Sequence, residues 1–391
     1  MKKFLSILLA VVMCIAVAVP AFAANTTSSL QFGADGKFKI MQINDTQDMI
    51  LTDVAEIALL EKAIEQENPD LLVFNGDQLT DFFPGADVDG LKKCLSNLFD
   101  VINEKGIPFL VTFGNHDHDY EDIFPLEEQM AFYKQYENCI VPDNGCDPGT
   151  YNVPIMSSKG DKMAFNVYVM DSNNKAPDGL ITGYEGLRPY QVEWYKQTSD
   201  ELKAANGGKV VPSLLFQHIP VKEIYQFLDE IPFTDDVTDA VFSLDEVKWY
   251  TLNDKVIDGA LGEVPCSESL ESNTGEYQAW VEKGDIVGAW FGHDHVNSFY
   301  GVTDEGIKMG YNGGTGFSTY GRAGDRSVRV FVIDEKDPEN YETYEVTFNE
   351  MVFEIPVYPL DLFSPTIATT IAKLLRSLIP SFLMPIIASF M

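Results

Sequence analysis

The sequence predicts an α/β fold whose sheet is mostly parallel and covered by helices on its faces. Between residues 37 and 117, apolar strand segments alternate with segments of helical apolar spacing. Continuous apolar strands separated by amphipathic helices are typical of a parallel sheet that is buried on both faces. Each strand segment ends in a polar cluster, and in such sheets the ligand site lies beyond the carboxyl ends of the strands. The polar clusters are therefore expected to meet in space.

The first half of the chain supplies three predicted strands and two predicted helices. The strands are KFKIMQIND (37–45), DLLVFNGD (70–77) and IPFLVTFGNHD (107–117), and the helices are DVAEIALLEKAIEQEN (53–68) and DGLKKCLSNLFDVINEKG (89–106). The first helix is expected to end before Pro69, because the residue before a proline avoids helical backbone. The second is expected to end at Gly106, since a glycine commonly follows the last helical turn.

The second half of the chain continues the same alternation. Strands are predicted at KMAFNVYVMDS (162–172), PSLLFQHIP (212–220) and DIVGAWFGHDH (285–295), and helices at RPYQVEWYKQTSDELKAAN (188–206) and YQAWVEKG (277–284). Residues 230–275 are acidic, turn-rich and weakly patterned, which predicts an insertion or a lid loop. Alternating segments between residues 297 and 349 predict antiparallel strands.

The N-terminus resembles a secretory signal peptide. Lys2 and Lys3 precede an apolar run, and Ala21-Phe22-Ala23 has the small-x-small pattern of a cleavage site. Residues 1–23 are therefore predicted to direct secretion or export, and residues 24–350 to form the main domain. An uncleaved membrane anchor is the alternative interpretation of this segment.

A tail over residues 351–391 contains an apolar amphipathic segment at 366–391. One helical face of this segment carries Ile367, Ile371, Leu374, Leu375 and Leu378. Its apolar run is interrupted by prolines and is shorter than the roughly 20 apolar residues that a membrane-spanning helix needs. The pattern favours an interfacial helix that associates weakly with a membrane surface, and packing against the protein's own surface is the alternative. The protein is expected to be a monomer.

Charge and cysteine content exclude some classes of function. The formal net charge is −33, which repels nucleic acid at long range and indicates that no nucleic-acid surface is present. A phosphorylated substrate would also be repelled unless metal ions offset the charge.

Four cysteines follow residue 23, and a turn in CIVPDNGC favours a disulfide between Cys139 and Cys146 over the other pairings. Four unpaired thiols are the alternative, and the lack of a Cys-x-x-Cys pair gives no support to a thiolate zinc site.

The polar clusters at the strand ends have the composition of a metal site. Four of the five histidines of the chain lie in them, together with two aspartates and an asparagine: Asp45, Asp77, Asn115, His116, His218, His293 and His295. Carboxylate, amide oxygen and imidazole suit zinc, iron and manganese ions. A carboxylate that bridges two such ions, about 3.5–4 Å apart, is typical of two-metal hydrolytic sites. Two histidines one residue apart can converge on such a site where a strand ends and the backbone turns, and Gly292 is expected to allow that turn.

The ordered motifs of the chain resemble those of the calcineurin-like metallophosphoesterases. INDTQ, NGDQLTD, FGNHD, FQHIP and FGHDH are similar to the motif series of that family, most closely to its secreted branch related to purple acid phosphatases. The resemblance spans roughly residues 37–333. It implies a four-layer α/β/β/α sandwich with a site for two metal ions at the carboxyl ends of the strands.

The resemblance also implies a role for each residue of the site. The metal ligands would be Asp45, Gln47 and His295 for the first ion, Asp77 for both ions, and Asn115, His218 and His293 for the second. His116 would face the phosphate and the leaving group as a catalytic residue, and Asp117 would orient it. His118 has no role implied by the family and is expected to be a solvated loop residue.

Two departures from the family pattern bear on the metal site. The family usually has a histidine where Gln47 stands, so this ligand is expected to be weak or absent. Purple acid phosphatases have a tyrosine three residues after the bridging aspartate, where this chain has Thr80. The glycine-rich segment 313–326 is a further candidate for substrate contact through Arg322 or Tyr320, and an ordinary connection is the alternative.

The function that the resemblance implies is hydrolysis of phosphate mono- or diesters by a secreted enzyme with two metal ions. A hydroxide held between the ions would attack phosphorus, and His116 would assist the leaving group. The alternative is a non-catalytic protein that has kept the fold and binds metal or a surface.

Overall fold

Two mixed β-sheets packed face to face form the centre of the protein. The computed structural model describes residues 30–49, 53–80, 85–174, 183–235, 238–244, 246–266, 273–354, 361, 366–379 and 383. The strands are β1 (Lys37–Ile43), β2 (Leu71–Asn75), β3 (Phe109–Thr112), β4 (Tyr151–Met156), β5 (Met163–Met170), β6 (Ser213–Gln217), β7 (Leu228–Ile231), β8 (Val241–Ser243), β9 (Lys248–Leu252), β10 (Val256–Asp258), β11 (Ile286–Phe291), β12 (Tyr300–Val302), β13 (Lys308–Tyr311), β14 (Ser327–Asp334) and β15 (Glu342–Thr347). The predicted signal peptide, residues 1–23, lies outside the described residues.

The helices follow the predicted alternation with the strands. They are α1 (Val54–Glu67), α2 (Val88–Glu104), α3 (Asn115–His118), α4 (Leu126–Tyr133), α5 (Pro189–Ala205), α6 (Glu276–Lys283), α7 (Phe348–Met351) and α8 (Thr366–Leu378). Asp53 and Asp87 begin α1 and α2, because each carboxylate accepts a hydrogen bond from a backbone N–H of the first turn. The α1 helix ends at Asn68 in left-handed backbone, just before Pro69 as predicted.

The strand order places the predicted site strands side by side. One sheet has the order β15-β14-β1-β2-β3, in which β1, β2 and β3 run parallel. The other has the order β10-β12-β13-β11-β6-β5-β4, in which β13, β11, β6 and β5 run parallel. The carboxyl ends of β1, β2 and β3 therefore lie together, as do those of β6 and β11.

Four layers result from the packing of helices on both sheets. Between the sheets, the rings of Trp290 and Phe216 each contact Phe331, with centroids 4.8 and 5.5 Å apart. Apolar residues of α1 and α2 share a buried core with the five-stranded sheet. Apolar residues of α5 and α6 share a second core with the seven-stranded sheet. The structure thus confirms the α/β/β/α sandwich.

Short strands account for most differences from the predicted elements. Neither β4 nor β13 is among the strands predicted by name, since β13 has four residues and β4 contains Pro154 at a sheet edge. Between residues 228 and 252, β7, β9 and β8 form a small antiparallel sheet, although most of this stretch belongs to the weakly patterned segment 230–275. The interpretation of this segment as an insertion or lid stays a prediction.

The predicted disulfide is absent from the described part of the chain. Cys94, Cys139 and Cys146 are free thiols, so the predicted pairing of Cys139 with Cys146 is not present. Burial raises the pKa of the Cys139 thiol to about 12, which keeps it protonated and unreactive.

Candidate metal centre

The candidate metal centre lies where the ends of five strands converge. Asp45 and Asp77 follow β1 and β2, and Asn115 begins the short helix after β3. His218 follows β6, and His293 and His295 follow β11 from the opposite sheet. All of these side chains are buried or half-buried. The structure thus brings together the residues that the sequence predicts for this site.

Two buried carboxylates face the imidazoles of two histidines. His218 Nε2 lies 3.1 Å from Asp77 Oδ2 and 3.7 Å from Asp45 Oδ1. His295 Nε2 lies 3.2 Å from the same Asp45 oxygen. One ligand atom from each of Asp77, His218 and His293 lies within 4.8 Å of the other two. This spacing lets a single cation contact all three residues.

Backbone carbonyls fix which imidazole nitrogen faces the centre. His218 Nδ1 lies 3.0 Å from the Asn75 carbonyl oxygen, and His295 Nδ1 lies 2.9 Å from that of Tyr320. Because a carbonyl only accepts, each Nδ1 must carry the hydrogen, which leaves the Nε2 lone pair directed at the carboxylates. Metal-binding histidines are commonly held in this way.

Buried polar atoms without hydrogen bonds show that a cation fits here. Within the described part of the chain, neither Asp45 Oδ1 nor His218 Nε2 makes a hydrogen bond, although both are fully buried. Burial of such polar atoms costs free energy unless a proton or a metal ion bonds to them. Burial lowers the pKa of His218, but Asp77 and Asp45 outweigh burial and raise it to about 10. The two carboxylates thus favour a positive charge at this position, which is the condition that a metal cation would meet.

Strained backbone positions hold several of these side chains. Asp45, Gln47, Asp77 and His293 have φ angles of 52°, 42°, 53° and 71°. Left-handed backbone is unfavourable for residues other than glycine, and it concentrates at functional sites. The left-handed residue of the turn after β11 is His293, which directly follows the glycine that was expected to allow the turn.

Glycines let the strand ends approach closely. A Cβ atom at Gly292 would lie 3.0 Å from both Asp45 Oδ2 and His218 Nδ1. At Gly114, a Cβ would lie 2.2 Å from Asp77 Oδ1, which is far inside van der Waals contact. The glycine before each motif therefore serves the packing of the ligands.

The carboxylate of Asp117 organises backbone and does not orient His116. It accepts hydrogen bonds from four backbone N–H groups, those of Asp77, Gln78, Leu79 and Gly114, over 2.9–3.2 Å. The loops after β2 and β3 are thereby held together. The prediction that Asp117 acts on His116 as a catalytic partner is wrong, because the side chain that bonds the imidazole is Asp119.

His116 lies at the open edge of the centre. Its Nδ1 is 2.8 Å from Asp119 Oδ2, and its Nε2 is 3.9 Å from Asp77 Oδ2. The side chain of His116 is 18% exposed, whereas those of His218 and His295, which face Asp45, are 0% and 4% exposed. The carboxylate of Asp119 thus holds the ring with Nε2 toward the centre and within reach of solvent.

Gln47 lies at the centre as a hydrogen-bond donor. Its amide nitrogen donates to Asp77 Oδ2 over 3.1 Å, and its side chain is buried. The amide oxygen is therefore the atom that Gln47 can offer to a cation.

Asn115 Oδ1 accepts a hydrogen bond from His293 Nδ1 over 2.9 Å, which places these two predicted ligands of the second ion side by side.

His118 is buried, which contradicts the expectation of a solvated loop residue. Its Nε2 lies 2.9 Å from Asp171 Oδ1, and its Nδ1 bonds Glu121. Although burial lowers the pKa of His118, Asp171 and Glu121 raise it to about 10. His118 is therefore a buried cation that ties α3 to the end of β5. Its spacing from His116 gave no signal of this role.

Several residues around the centre were not predicted from the sequence. Asn44 donates to Asp45 Oδ2 over 2.6 Å, and the ring of Tyr184 lies edge-on to His293 with centroids 4.6 Å apart. Glu263 accepts a hydrogen bond from the hydroxyl of Tyr320 over 3.2 Å. Asn44 could have been found from its place in the polar cluster after β1, but Tyr184 and Glu263 lie in segments without a strand pattern.

Of the two candidate residues in the glycine-rich segment 313–326, Tyr320 contacts a residue of the centre. The ring of Tyr320 stacks on that of His295, with centroids 4.3 Å apart and planes 13° apart. Arg322 instead forms an ion pair with Glu345 over 3.0 Å. Tyr320 therefore packs against the predicted metal ligand His295. Arg322 is held at β15 by its ion pair with Glu345.

Known proteins resemble this chain over much of its length. A family model described as calcineurin-like phosphoesterase matches residues 38–297. "Probable inactive purple acid phosphatase 29" of Arabidopsis thaliana is 27% identical over 350 residues, which cover 81% of each chain. "Probable inactive purple acid phosphatase 14" of the same plant is 28% identical over 337 residues, 77% of this chain and 76% of that one. A solved structure titled "GAP50 the anchor in the inner membrane complex of Plasmodium" is 12% identical, with a TM-score of 0.43 over 86% of this chain and 94% of that chain.

Proposed function

The chain belongs to the calcineurin-like phosphoesterase family, and from this premise we propose that it hydrolyses phosphate mono- or diesters with the help of two metal ions. The observation that carries the proposal is the pair of buried atoms, Asp45 Oδ1 and His218 Nε2, that face each other without hydrogen bonds. Buried atoms of this kind cost free energy when they bind nothing, and a cation between them would remove that cost.

The donor set divides into two groups around Asp77. Asp45, His295 and the amide oxygen of Gln47 would hold one ion, and Asn115, His218 and His293 would hold the other. Zinc, iron or manganese suits this mixture of carboxylate, amide and imidazole. Bound ions of this kind lower the pKa of a coordinated water and offset the negative charge of phosphoryl oxygens.

His116 is the residue that would move a proton in the proposed reaction. Asp119 accepts from Nδ1, so a proton on Nε2 would face the phosphate and the departing oxygen. A general acid in this position typically contributes 10²–10⁴-fold to the rate. The buried carboxylate of Asp117 contributes indirectly, by fixing the backbone that carries Asp77 and His116.

A non-catalytic metal-binding protein is the second candidate. Gln47 supports it, since the amide donates to Asp77 where a metal-binding imidazole would be expected. The names of the two plant relatives also contain the word "inactive". Elemental analysis combined with turnover of 4-nitrophenyl phosphate and its diester separates the candidates. Bound metal without turnover of either ester would favour the non-catalytic protein.

The substitution Gln47→His is expected to strengthen metal binding at the first position by about 10–100-fold, the range over which ligand support alters metal affinity. An imidazole nitrogen is a better donor than an amide oxygen for zinc or iron(II). In the wild type we expect one ion to be removed by mild chelation, with activity restored by added manganese or zinc. Titration of chelated protein, scored by bound equivalents and by activity, measures the effect.

Gln47→Leu is the matched control, because it keeps the volume and offers no ligand. It should lose the weak ion further. Two equally tight ions in the wild type, with no gain from Gln47→His, would mean that Gln47 coordinates well or that a neighbour such as Asp48 replaces the histidine.

Tyr184 is placed to contact the substrate. It is half-buried, and among the described residues no hydrogen bond serves its hydroxyl group. Burial, together with Cys266 and Asp77, raises its pKa well above the usual range, so the hydroxyl stays a donor. Tyr184→Phe is expected to raise KM about tenfold with a smaller change in kcat, since a hydrogen bond to a charged group contributes about 1.5 kcal/mol. Steady-state kinetics on an aryl phosphate measures both constants.

Tyr190→Phe is the control for this substitution. Tyr190 is 47% exposed, and its hydroxyl donates to Asp147 away from the centre. Its replacement should leave KM unchanged. An unchanged KM in Tyr184→Phe as well would remove Tyr184 from the substrate site.

Export of the protein and the boundaries of its domain rest on sequence alone. We propose that residues 1–23 direct it out of the cytoplasm, that residues 24–350 form one domain, and that the chain is a monomer. The segment 230–275 reaches the centre through Glu263, which suits an insertion that borders the site. N-terminal sequencing of the exported protein would establish cleavage.

A further inference from the structure

The helix α8 lies on the small sheet with its polar side chains inward. Arg376 donates to the carbonyl oxygens of Phe233 and Thr234 over 3.0 and 2.8 Å. Lys373 donates to the carbonyl of Thr238 over 3.0 Å, and Thr369 accepts from the backbone N–H of Phe242 over 2.9 Å. These contacts fix the helix on the protein through its hydrophilic face.

One small residue supplies the buried apolar contact of this helix. Ala372 is 7% exposed and belongs to a small core with Trp249 and Ala240. Among the described side chains of α8, the other residues are half-buried or exposed. The usual amphipathic arrangement, with the apolar face inward, is thus reversed.

The outward face of α8 is an aliphatic surface. The side chains that form it are Ile367 (40% exposed), Ile371 (51%), Leu374 (60%), Leu375 (57%) and Leu378 (70%). They recur at the spacing of one helical face. A contiguous apolar patch of this kind on a protein surface marks a site of contact with a membrane or another molecule.

We propose that this face, the α8 apolar face, lies in the interfacial region of a membrane of neutral lipids. Residues 366–391 contain no Asp or Glu in a chain with 60 of them, and residues 379–391 have no charged side chain. The two basic residues of α8 are occupied by backbone carbonyls. The face is purely aliphatic and lacks the aromatic and arginine residues that are enriched at protein interfaces.

The charge of the protein selects the kind of lipid. A formal net charge of −33 repels anionic headgroups, and neither Lys373 nor Arg376 extends freely toward them. Apolar burial must therefore supply the attraction. Of the helices that the structure describes, none is long and apolar enough to cross a membrane. The proposal is independent of catalysis, so either can fail alone.

Flotation of the purified protein with phosphatidylcholine vesicles tests the proposal. We expect the wild type to float with the vesicles, and phosphatidylglycerol in the vesicles to reduce the bound fraction. The combined substitutions Leu374→Gln, Leu375→Gln and Leu378→Gln should lower the partition coefficient at least about tenfold, which corresponds to about 1.4 kcal/mol. All proteins compared share one N-terminus, so residues 1–23 cannot cause a difference.

The control replaces three aliphatic residues of similar exposure elsewhere. Val54, Ile257 and Val281 are 83%, 55% and 42% exposed, and their change to Gln should leave flotation unaltered. Circular dichroism and thermal unfolding verify that both triple variants are folded.

Three results would overturn the proposal. The wild type could remain in the aqueous phase. Flotation could survive the three α8 substitutions and disappear on removal of residues 380–391, which would assign the contact to that segment. Sedimentation could show a dimer that the α8 substitutions dissociate, which would make a second copy of the chain the occupant of this face.

Discussion

The substitution Asp77→Asn is expected to abolish tight metal binding and to reduce phosphoester hydrolysis by at least about 10³-fold, the upper end of the cost of losing one electrostatic group at a reaction centre. Asp77 Oδ2 lies 3.1 Å from both His218 Nε2 and the Gln47 amide nitrogen. Its other oxygen accepts the His116 backbone N–H over 2.8 Å. One carboxylate therefore borders both groups of metal ligands.

Elemental analysis and thermal unfolding measure this effect without relying on turnover. A metal that binds only the folded state should stabilise the wild type, by about 2.7 kcal/mol at a concentration of 100 Kd. The variant should show no such gain. An amide has nearly the same volume as the carboxylate, so the variant is expected to fold.

Asp285→Asn serves as the control for the loss of a buried carboxylate. Asp285 precedes β11, at the opposite end of the strand from His293, and accepts a hydrogen bond from Tyr195. This variant should be less stable but keep its metal and its activity. Retention of two tightly bound ions by Asp77→Asn would show that Asp77 does not bridge them.

The arrangement of the centre was largely predictable, because strand order and motif position determine it. Asp45 and Asp77 each follow an apolar strand of a parallel unit, so their meeting follows from topology. His218 and His293 follow strands of the second sheet. The resemblance of the motifs to those of the family predicted that these histidines share a metal site with the aspartates of the first sheet. The packing of the two sheets against each other then brings all of these residues together.

The orientation of individual side chains was not predictable from the same information. Asp117 is one residue and Asp119 three residues from His116 in the sequence, and the one-turn helix α3 brings the more distant carboxylate to the imidazole. His118 is paired with Asp171, 53 residues away, and no pattern in the local sequence predicts such a contact. The turn at His293 is a strained conformation that the surrounding packing imposes, whereas propensity favoured Gly292.

The C-terminal helix illustrates a different limit. Its apolar periodicity predicted an amphipathic segment over 366–391, and α8 forms over Thr366–Leu378 of that range. Periodicity identifies an apolar face but does not say whether that face turns toward the protein. Here Arg376 and Lys373 find carbonyl acceptors on the small sheet, which sequence patterning had not revealed, and their bonds turn the aliphatic face outward.

The substitution His116→Ala is expected to lower kcat by about 10²–10⁴-fold and to leave metal content largely intact. The imidazole is outside the two groups of ligands, and its Nε2 is 3.9 Å from Asp77 Oδ2. If it protonates the departing oxygen, the loss should be larger for an alkyl phosphate, whose leaving group is a strong base, than for 4-nitrophenyl phosphate. Asp119→Asn should show a smaller loss with the same preference, because it removes the carboxylate that holds Nδ1.

His118→Gln is the control that separates this role from the stability of α3. His118 lies two residues from His116, but both of its nitrogens contact carboxylates away from the centre. Its replacement leaves Asp171 without its cationic partner, and breaking such a buried pair costs about 3–5 kcal/mol of folding stability. We therefore expect a lower melting temperature with little change in kcat below it. Loss of metal in proportion to activity in His116→Ala would make His116 a ligand. Equal losses for the alkyl and aryl esters would mean that its proton is not transferred to the leaving group.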